Sequence, residues 1–278
     1  MDHASPRERS GPGWDSILEP SATERAEGRW SDAQQARALE TFSRLGFLQI
    51  DNVIPLDVAH ALTQAYDQRY RDRTEQELAA SCSRVGDRRY MVTVAIEPPF
   101  DSPELYANPF IFPLLTSALG SSVALLSFGM VMALAGSRDQ QVHRDHSPLF
   151  PEVPLGGLLP CYAATVVVPL VDLDPATVGT TALWPGSHRE AQPALESFDS
   201  AVLPRARLGS VYMMDYRLVH AGMGNRSDTT RPILYVIYSR PWFTDAENYT
   251  RQAKVSISPE RLAAVPEAYR SLFAHVRP

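Results

Sequence analysis

Residues 231–238 read Arg-Pro-Ile-Leu-Tyr-Val-Ile-Tyr, a short run rich in β-branched and aromatic side chains. Such a run is strand grammar. A period of two places Arg231, Ile233, Tyr235 and Ile237 on one face. Working outward, similar apolar runs occupy 122–134, 162–171, 180–184 and 210–215, separated by Gly, Pro and Asp. That spacing predicts an all-β sandwich or barrel. No internal repeat is visible.

The residues before 121 follow a different pattern. Ser31 is placed to cap a helix, with Gln34 completing a capping box, and Ala33, Ala36, Leu39, Phe42 and Leu45 hold helical spacing up to Gly46. Phe47-Leu48-Gln49-Ile50 reads as a short strand, and a second helix is expected from Pro55 through Ala59, Leu62 and Tyr66. The stretch 71–89 is charged and irregular; Tyr90 to Ile96 reads as a strand ended by Pro98-Pro99. Residues 103–119 read as a helix interrupted by Pro109 and Pro113 and ended by Gly120. Residues 1–30, rich in Ser, Pro, Gly, Arg and Glu, read as a flexible N-terminal arm. The expected organisation is therefore that arm followed by one domain over 31–278. Its fold is mainly β with flanking α: a jelly roll, with its core at 121–245, buttressed by N-terminal helices.

Composition narrows the function. The 278 residues carry a net charge of −6, which argues against a nucleic-acid binder working by phosphate neutralisation. No apolar run is long enough to span a membrane, and the first residues, Met1 to Arg7, lack the apolar segment of a secretory signal. A cytoplasmic protein with Cys82 and Cys161 as reduced thiols is expected. Lys254 is the only lysine among many arginines, which reflects coding bias and carries no mechanism.

Three residues suggest a metal. His143-Arg144-Asp145 is an H-x-D triplet at the start of the β region, and i and i+2 of an extended segment project to one side. Imidazole and carboxylate can then reach one ion. His220, after the apolar run Val211 to Met214, is the candidate third ligand of a 2-His-1-carboxylate triad. The competing reading is a surface His and Asp near a turn. Arg231 strengthens the metal reading. An arginine on the inward face of an apolar barrel is costly without an anion, and its planar fork suits a carboxylate. A metal triad near such an arginine suits a dicarboxylate, chelated at one end and clamped at the other. The alternatives for Arg231 are a salt bridge to Asp215 or a strand end in solvent.

With these residues in place, His143-x-Asp145, His220 and Arg231 resemble the phytanoyl-CoA dioxygenase-like branch of the Fe(II)/2-oxoglutarate oxygenases. The stretch Leu45 to Pro55, the segment Gly179 to Arg189 with its Pro-Gly-Ser-His, Asp215 to Gly222, Asn225-Arg226-Ser227 and Tyr238 to Phe243 resemble members of that branch that tailor small metabolites. The resemblance covers residues 31–250. It implies a double-stranded β-helix, cupin-like, with Fe(II) held by His143, Asp145 and His220 at its mouth. It implies that Arg231 holds the distal carboxylate of 2-oxoglutarate, with Gln140 and Thr165 beside that co-substrate. O₂ is the further reactant, and ascorbate is expected to support turnover in vitro. The implied reaction is hydroxylation, desaturation, ring closure or ketone formation at an unactivated C–H of a small molecule. Asp145 disfavours halogenation, since the halogenating subgroup has Gly or Ala in place of that carboxylate. His188 belongs to the turn and is not taken as a ligand. Trp184 and Trp242 are read as core or wall residues.

The loop from His146 to Pro160, with four prolines and two glycines, reads as a lid. His146 at the rim and Arg217 are candidate substrate contacts; Arg84, Arg88, Arg89 and Arg240 could meet an anion but read better as surface arginines or structural ion pairs. Two other functions compete. A cupin-type metal enzyme without 2-oxoglutarate would carry extra ligands and not need Arg231. A non-catalytic jelly-roll binding module would have a broken triad.

Overall fold

The computed structural model describes residues 16–150, 153, 157–190, 198–248 and 252–276. The elements in order are β1 (Ile17–Leu18), α1 (Ala22–Glu27), α2 (Asp32–Leu45), β2 (Phe47–Ile50), α3 (Leu56–Tyr66), α4 (Glu75–Ser81), β3 (Ser83–Gly86), β4 (Arg89–Thr93), α5 (Pro103–Tyr106), α6 (Phe112–Leu119), β5 (Ala124–Ala133), β6 (Ala163–Pro169), β7 (Thr181–Leu183), β8 (Val211–Asp215), β9 (His220–Gly222), β10 (Arg231–Ser239) and α7 (Pro259–Ala264). Eight strands form one sheet in the order β1-β2-β8-β6-β10-β5-β4-β3, and β7 pairs with β9 in a second. This is the expected jelly roll. All five apolar runs of the β region are strands.

Alternation along the large sheet sets its two faces. Leu234, Val236 and Tyr238 of β10 join Val166 and Val168 of β6 and Met130 and Met132 of β5 in the main core. That core continues into Phe42, Leu62 and Leu115 of the helices. The alternate residues turn toward the small sheet. Register aligns them in rows: Met91 pairs with Val131 and Val131 with Ile233, while Thr165 pairs with both Ile237 and Met214. The space between the sheets holds the site.

The helical layer follows its local signals. Ser31 caps α2, accepting from the Gln34 N–H at 3.4 Å, and Gly46 ends it with φ 80°. A side chain there would meet His188 Nδ1 at 2.5 Å, so both backbone and packing require glycine. Pro55 precedes α3 as predicted.

Several expectations change. Residues 16–30, expected within the arm, are built into the fold, while residues 1–15 lie outside the described residues. β1 adds in parallel to β2, and Trp30 is buried, donating to the Phe110 carbonyl at 2.8 Å. Glu24 ties the two ends of α1 together: its carboxylate accepts from Ser21 N–H, Ser31 N–H and Ser31 Oγ–H. These hydrogen bonds lower its pKa to about 2. Glu24, not Gln34, therefore takes the Ser31 N–H. The buried face of α2 is Ala38, Thr41 and Phe42, whereas Ala33 and Ala36 are exposed. The stretch 71–89 is not irregular; it holds α4, capped by Thr74 with a full capping box, and β3. Pro109 separates α5 from α6, but Pro113 lies in the first turn of α6, where proline starts helices. Trp242 is exposed, while Trp184 is buried. Part of the expected lid, 151–152 and 154–156, lies outside the described residues.

Cys82 and Cys161 are unbridged. Among the described residues no helix is long and apolar enough to cross a membrane.

Candidate metal and co-substrate site

The triad converges. Ligand atoms of His143, Asp145 and His220 all lie within 4.8 Å of one another. An isolated antiparallel bridge does this: the His143 N–H donates to the His220 carbonyl and the His220 N–H to that of His143, both at 2.9 Å. His143 thus sits on a bridge to β9 rather than on a full strand. The two imidazole centroids are 4.4 Å apart.

Ring orientation is fixed from behind. His143 Nδ1 lies 2.8 Å from the Gln141 carbonyl oxygen, and His220 Nδ1 lies 3.0 Å from that of Leu218. A carbonyl only accepts, so each Nδ1 carries a proton, and in the neutral ring each Nε2 keeps its lone pair for a metal. This is how metal-binding histidines are held. His220 Nε2 lies 3.4 Å from Asp145 Oδ1, and Thr165 Oγ1 donates to Asp145 Oδ2 at 3.4 Å. Burial and the neighbouring His220 lower the pKa of His143. Burial opposes the charged forms of Asp145 and His220, but their mutual attraction outweighs it. Asp145 is held below the usual carboxylate range and His220 above the usual imidazole range.

The triad opens into a cavity of about 310 Å³. Arg231, 2% exposed, projects into it, as do Ile233, Tyr235 and Ile237, the face read from the sequence. Arg231 Nη1 donates to the carbonyls of Val178, Thr180 and Met223 at 3.1–3.3 Å. No acidic side chain among the described residues pairs with it. Burial pushes its pKa down to about 10.

A second guanidinium escaped the sequence reading. Arg89, treated there as a surface arginine, is 1% exposed. The register explains its position. Ala133 of β5 pairs with Arg231 on one side and with Arg89 on the other, so both arginines share one row and one cavity. Arg89 donates to Gln140 Oε1 at 3.1 Å and to the carbonyls of Met223 and Arg138 at 3.0 and 3.3 Å, while its Nε has no partner. Burial and the charge of Arg231 push its pKa down to about 9. Gly222 makes this approach possible, because a Cβ there would lie 1.8 Å from Arg89 Nη1. Nothing in the sequence distinguishes Arg89 from Arg88; only strand pairing does.

The remaining predicted residues divide. Gln140 lines the cavity, but its amide is spent within the protein: Oε1 accepts from Arg89 and from the Gly222 N–H, and Nε2 donates to the Val85 carbonyl. Thr165 lines the cavity and faces Asp145. Arg217 is committed elsewhere. Its Nε and Nη2 bind the two Asp215 oxygens at 2.9 and 2.7 Å, and it lies over the Tyr162 ring. It takes the Asp215 carboxylate, the alternative partner for Arg231. His146 packs on Phe243 with Nε2 3.9 Å from Glu247 and does not line the cavity. His188 sits in its turn against the end of α2, with Nε2 3.2 Å from the Ser43 carbonyl oxygen.

Comparison with solved structures fits this geometry. The non-haem α-ketoglutarate-dependent epimerase SnoN of nogalamycin biosynthesis aligns over 76% of this chain and 82% of its own, with 20% identity and a TM-score of 0.56. HygX from Streptomyces hygroscopicus, solved with nickel and 2-oxoglutarate bound, aligns over 77% and 89%, with 18% identity and a TM-score of 0.57. This is the fold of the 2-oxoglutarate-dependent non-haem enzymes. EctD from S. alaskensis, solved with 2-oxoglutarate and 5-hydroxyectoine, extends the match to 87% of this chain and 94% of its own, with 20% identity and a TM-score of 0.56. No protein-family model matches the chain.

Proposed function

We propose that the protein is an Fe(II)- and 2-oxoglutarate-dependent oxygenase that oxidises an unactivated C–H of a small molecule in secondary-metabolite biosynthesis. The observation that carries this reading is the pair Arg89 and Arg231: two buried guanidiniums without a carboxylate partner, in the same cavity as a His-Asp-His cluster. Burying an unpaired charge costs several kcal/mol, so the cavity is built for an anion.

His143 Nε2, Asp145 and His220 Nε2 would hold the iron. Their donor set leaves the remaining octahedral positions open. Iron with 2-oxoglutarate and O₂ supplies the oxidising chemistry, with succinate and CO₂ as co-products. Arg231 and Arg89 bind the distal carboxylate, and Gln140 keeps Arg89 in place. Thr165 orients Asp145. Met91, Val131, Tyr235 and Ile237 form an apolar wall that positions a small substrate and excludes water. In hydroxylation the substrate gains one oxygen atom of O₂ and the other enters succinate; desaturation or ring closure instead removes two hydrogens. The representation of the fold among enzymes such as SnoN of nogalamycin biosynthesis supports a role in tailoring metabolites.

The test is turnover with Fe(II), 2-oxoglutarate and ascorbate against pooled metabolites. Succinate release coupled to a product heavier by one oxygen, or lighter by two hydrogens, is expected. Protein that binds Fe(II) but neither binds 2-oxoglutarate nor forms succinate would overturn the reading in favour of a cupin-type metal enzyme. Protein that binds neither would point to a binding module.

A further inference from the structure

At the cavity mouth, where Asn248 lines it, the segment Asp245 to Asn248 makes a set of contacts that the proposed chemistry does not use. Asp245 is completely buried. Its Oδ2 accepts from the Tyr216 hydroxyl at 2.6 Å and from Asn248 Nδ2 at 2.8 Å, and its Oδ1 accepts from the N–H groups of Glu247 and Asn248 at 2.9 Å each. Lys254 Nζ donates to its carbonyl. A buried carboxylate with this many donors fixes the backbone around it.

The turn so fixed reaches the metal segment at two points. Asn248 Nδ2 donates to the Asp145 carbonyl at 2.7 Å. The Glu247 carboxylate accepts from the Ser147 N–H at 3.1 Å and from its hydroxyl at 2.9 Å. The Asp145 carboxylate receives one hydrogen bond from Thr165, and the Asp145 backbone is tied to this turn. Tyr216 links the turn to the sheet, since its N–H donates to the Ala163 carbonyl of β6.

We infer that the 245–248 turn is a positioning strap for the metal carboxylate, with Asp245 as its keystone and Asn248 as the positioning residue that holds the Asp145 main chain. The inference rests on the metal site proposed above. A carboxylate on an irregular segment has rotational freedom that a strand ligand lacks. Asn248 removes it from the backbone side and Thr165 from the side-chain side. Partners behind a metal ligand commonly change metal affinity by about 10–100-fold when removed.

The experiment uses Co(II) under anaerobic conditions, read by its visible ligand-field bands, on the full chain with and without 2-oxoglutarate. Asn248 is exposed at the cavity mouth, so Asn248→Ala removes no buried apolar packing, and thermal melting checks that the fold survives the lost hydrogen bond to Asp245. We expect about tenfold weaker Co(II) binding and altered bands in Asn248→Ala. Asn248→Asp, which cannot donate to the Asp145 carbonyl and faces the Asp245 carboxylate, should lose at least as much. Tyr216→Phe, which keeps the ring but removes the donor to Asp245, should show a smaller loss in the same direction. A Co(II) isotherm and spectrum identical to wild type in both Asn248 variants would overturn the strap while leaving the metal site standing. A wild-type chain that takes up no Co(II) would overturn the metal site and the strap with it.

Discussion

Arg217 and Arg231 both lie near the end of a strand, Arg231 buried and Arg217 largely so, and they have opposite consequences. Arg217 lies two residues after the end of β8 and has its own carboxylate, Asp215, bound by two guanidinium nitrogens beside the Tyr162 ring. Despite burial, that carboxylate holds its pKa above the usual guanidinium value. Arg231, like Arg89, donates only to neutral oxygens, and burial pushes its pKa down to about 10. The contrast separates structure from function. An internal ion pair is complete without a ligand, whereas two cations with neutral acceptors leave a charge for something else to neutralise. The sequence does not tell them apart, because it does not say which arginine lies beside Asp215.

Four variants test whether the two arginines differ as described. The largest effect is expected at Asp215→Ala, which strands Arg217 as an uncompensated buried charge and should cost about 3–5 kcal/mol in urea unfolding. Whatever folded protein remains should still be stabilised by 2-oxoglutarate with metal. Arg231→Ala should do the reverse. Global stability should change little, while 2-oxoglutarate affinity, followed by ligand-induced thermal shift, should fall by about 2–5 kcal/mol. Equal loss of stability in the two variants would erase the distinction.

Arg89→Met keeps much of the buried volume and removes one of the two charges. Its loss of 2-oxoglutarate affinity should be about 1.5–3 kcal/mol, the range for a hydrogen bond to a charged group. Retained affinity would leave Arg231 as sole clamp and Arg89 as structural. Gly222→Ala is expected to displace Arg89 without removing it. A cost of about 1–3 kcal/mol in stability, typical of overpacking, should come with weaker 2-oxoglutarate binding. A crystal structure of this variant with Arg89 unmoved would refute the role given to Gly222.

Much of the β region was readable because strand alternation is local. The face shared by Arg231, Ile233, Tyr235 and Ile237 follows from a period of two, and all four line the cavity. His143, Asp145 and His220 could be named as candidate ligands from residue type and strand alternation, but their convergence could not be read, because β9 meets residue 143 only through an isolated bridge. The helical layer was less legible. The buried face of α2 is shifted from the face the apolar spacing suggested, because small alanines commit weakly to either side. The structured stretch at 16–30 was hidden because its organiser, Glu24, looks like any surface glutamate in sequence.

By itself, then, the sequence determined the strands, the punctuation between them and the residue types able to hold a metal, since these depend on neighbours two to four positions apart. The tertiary structure decided which charges have partners. Sheet order set Arg89 and Arg231 on either side of Ala133, gave Asp215 to Arg217, and brought Asn248 to the Asp145 carbonyl. Electrostatic roles depend on distance in space, and strand pairing brings together residues that the chain keeps far apart.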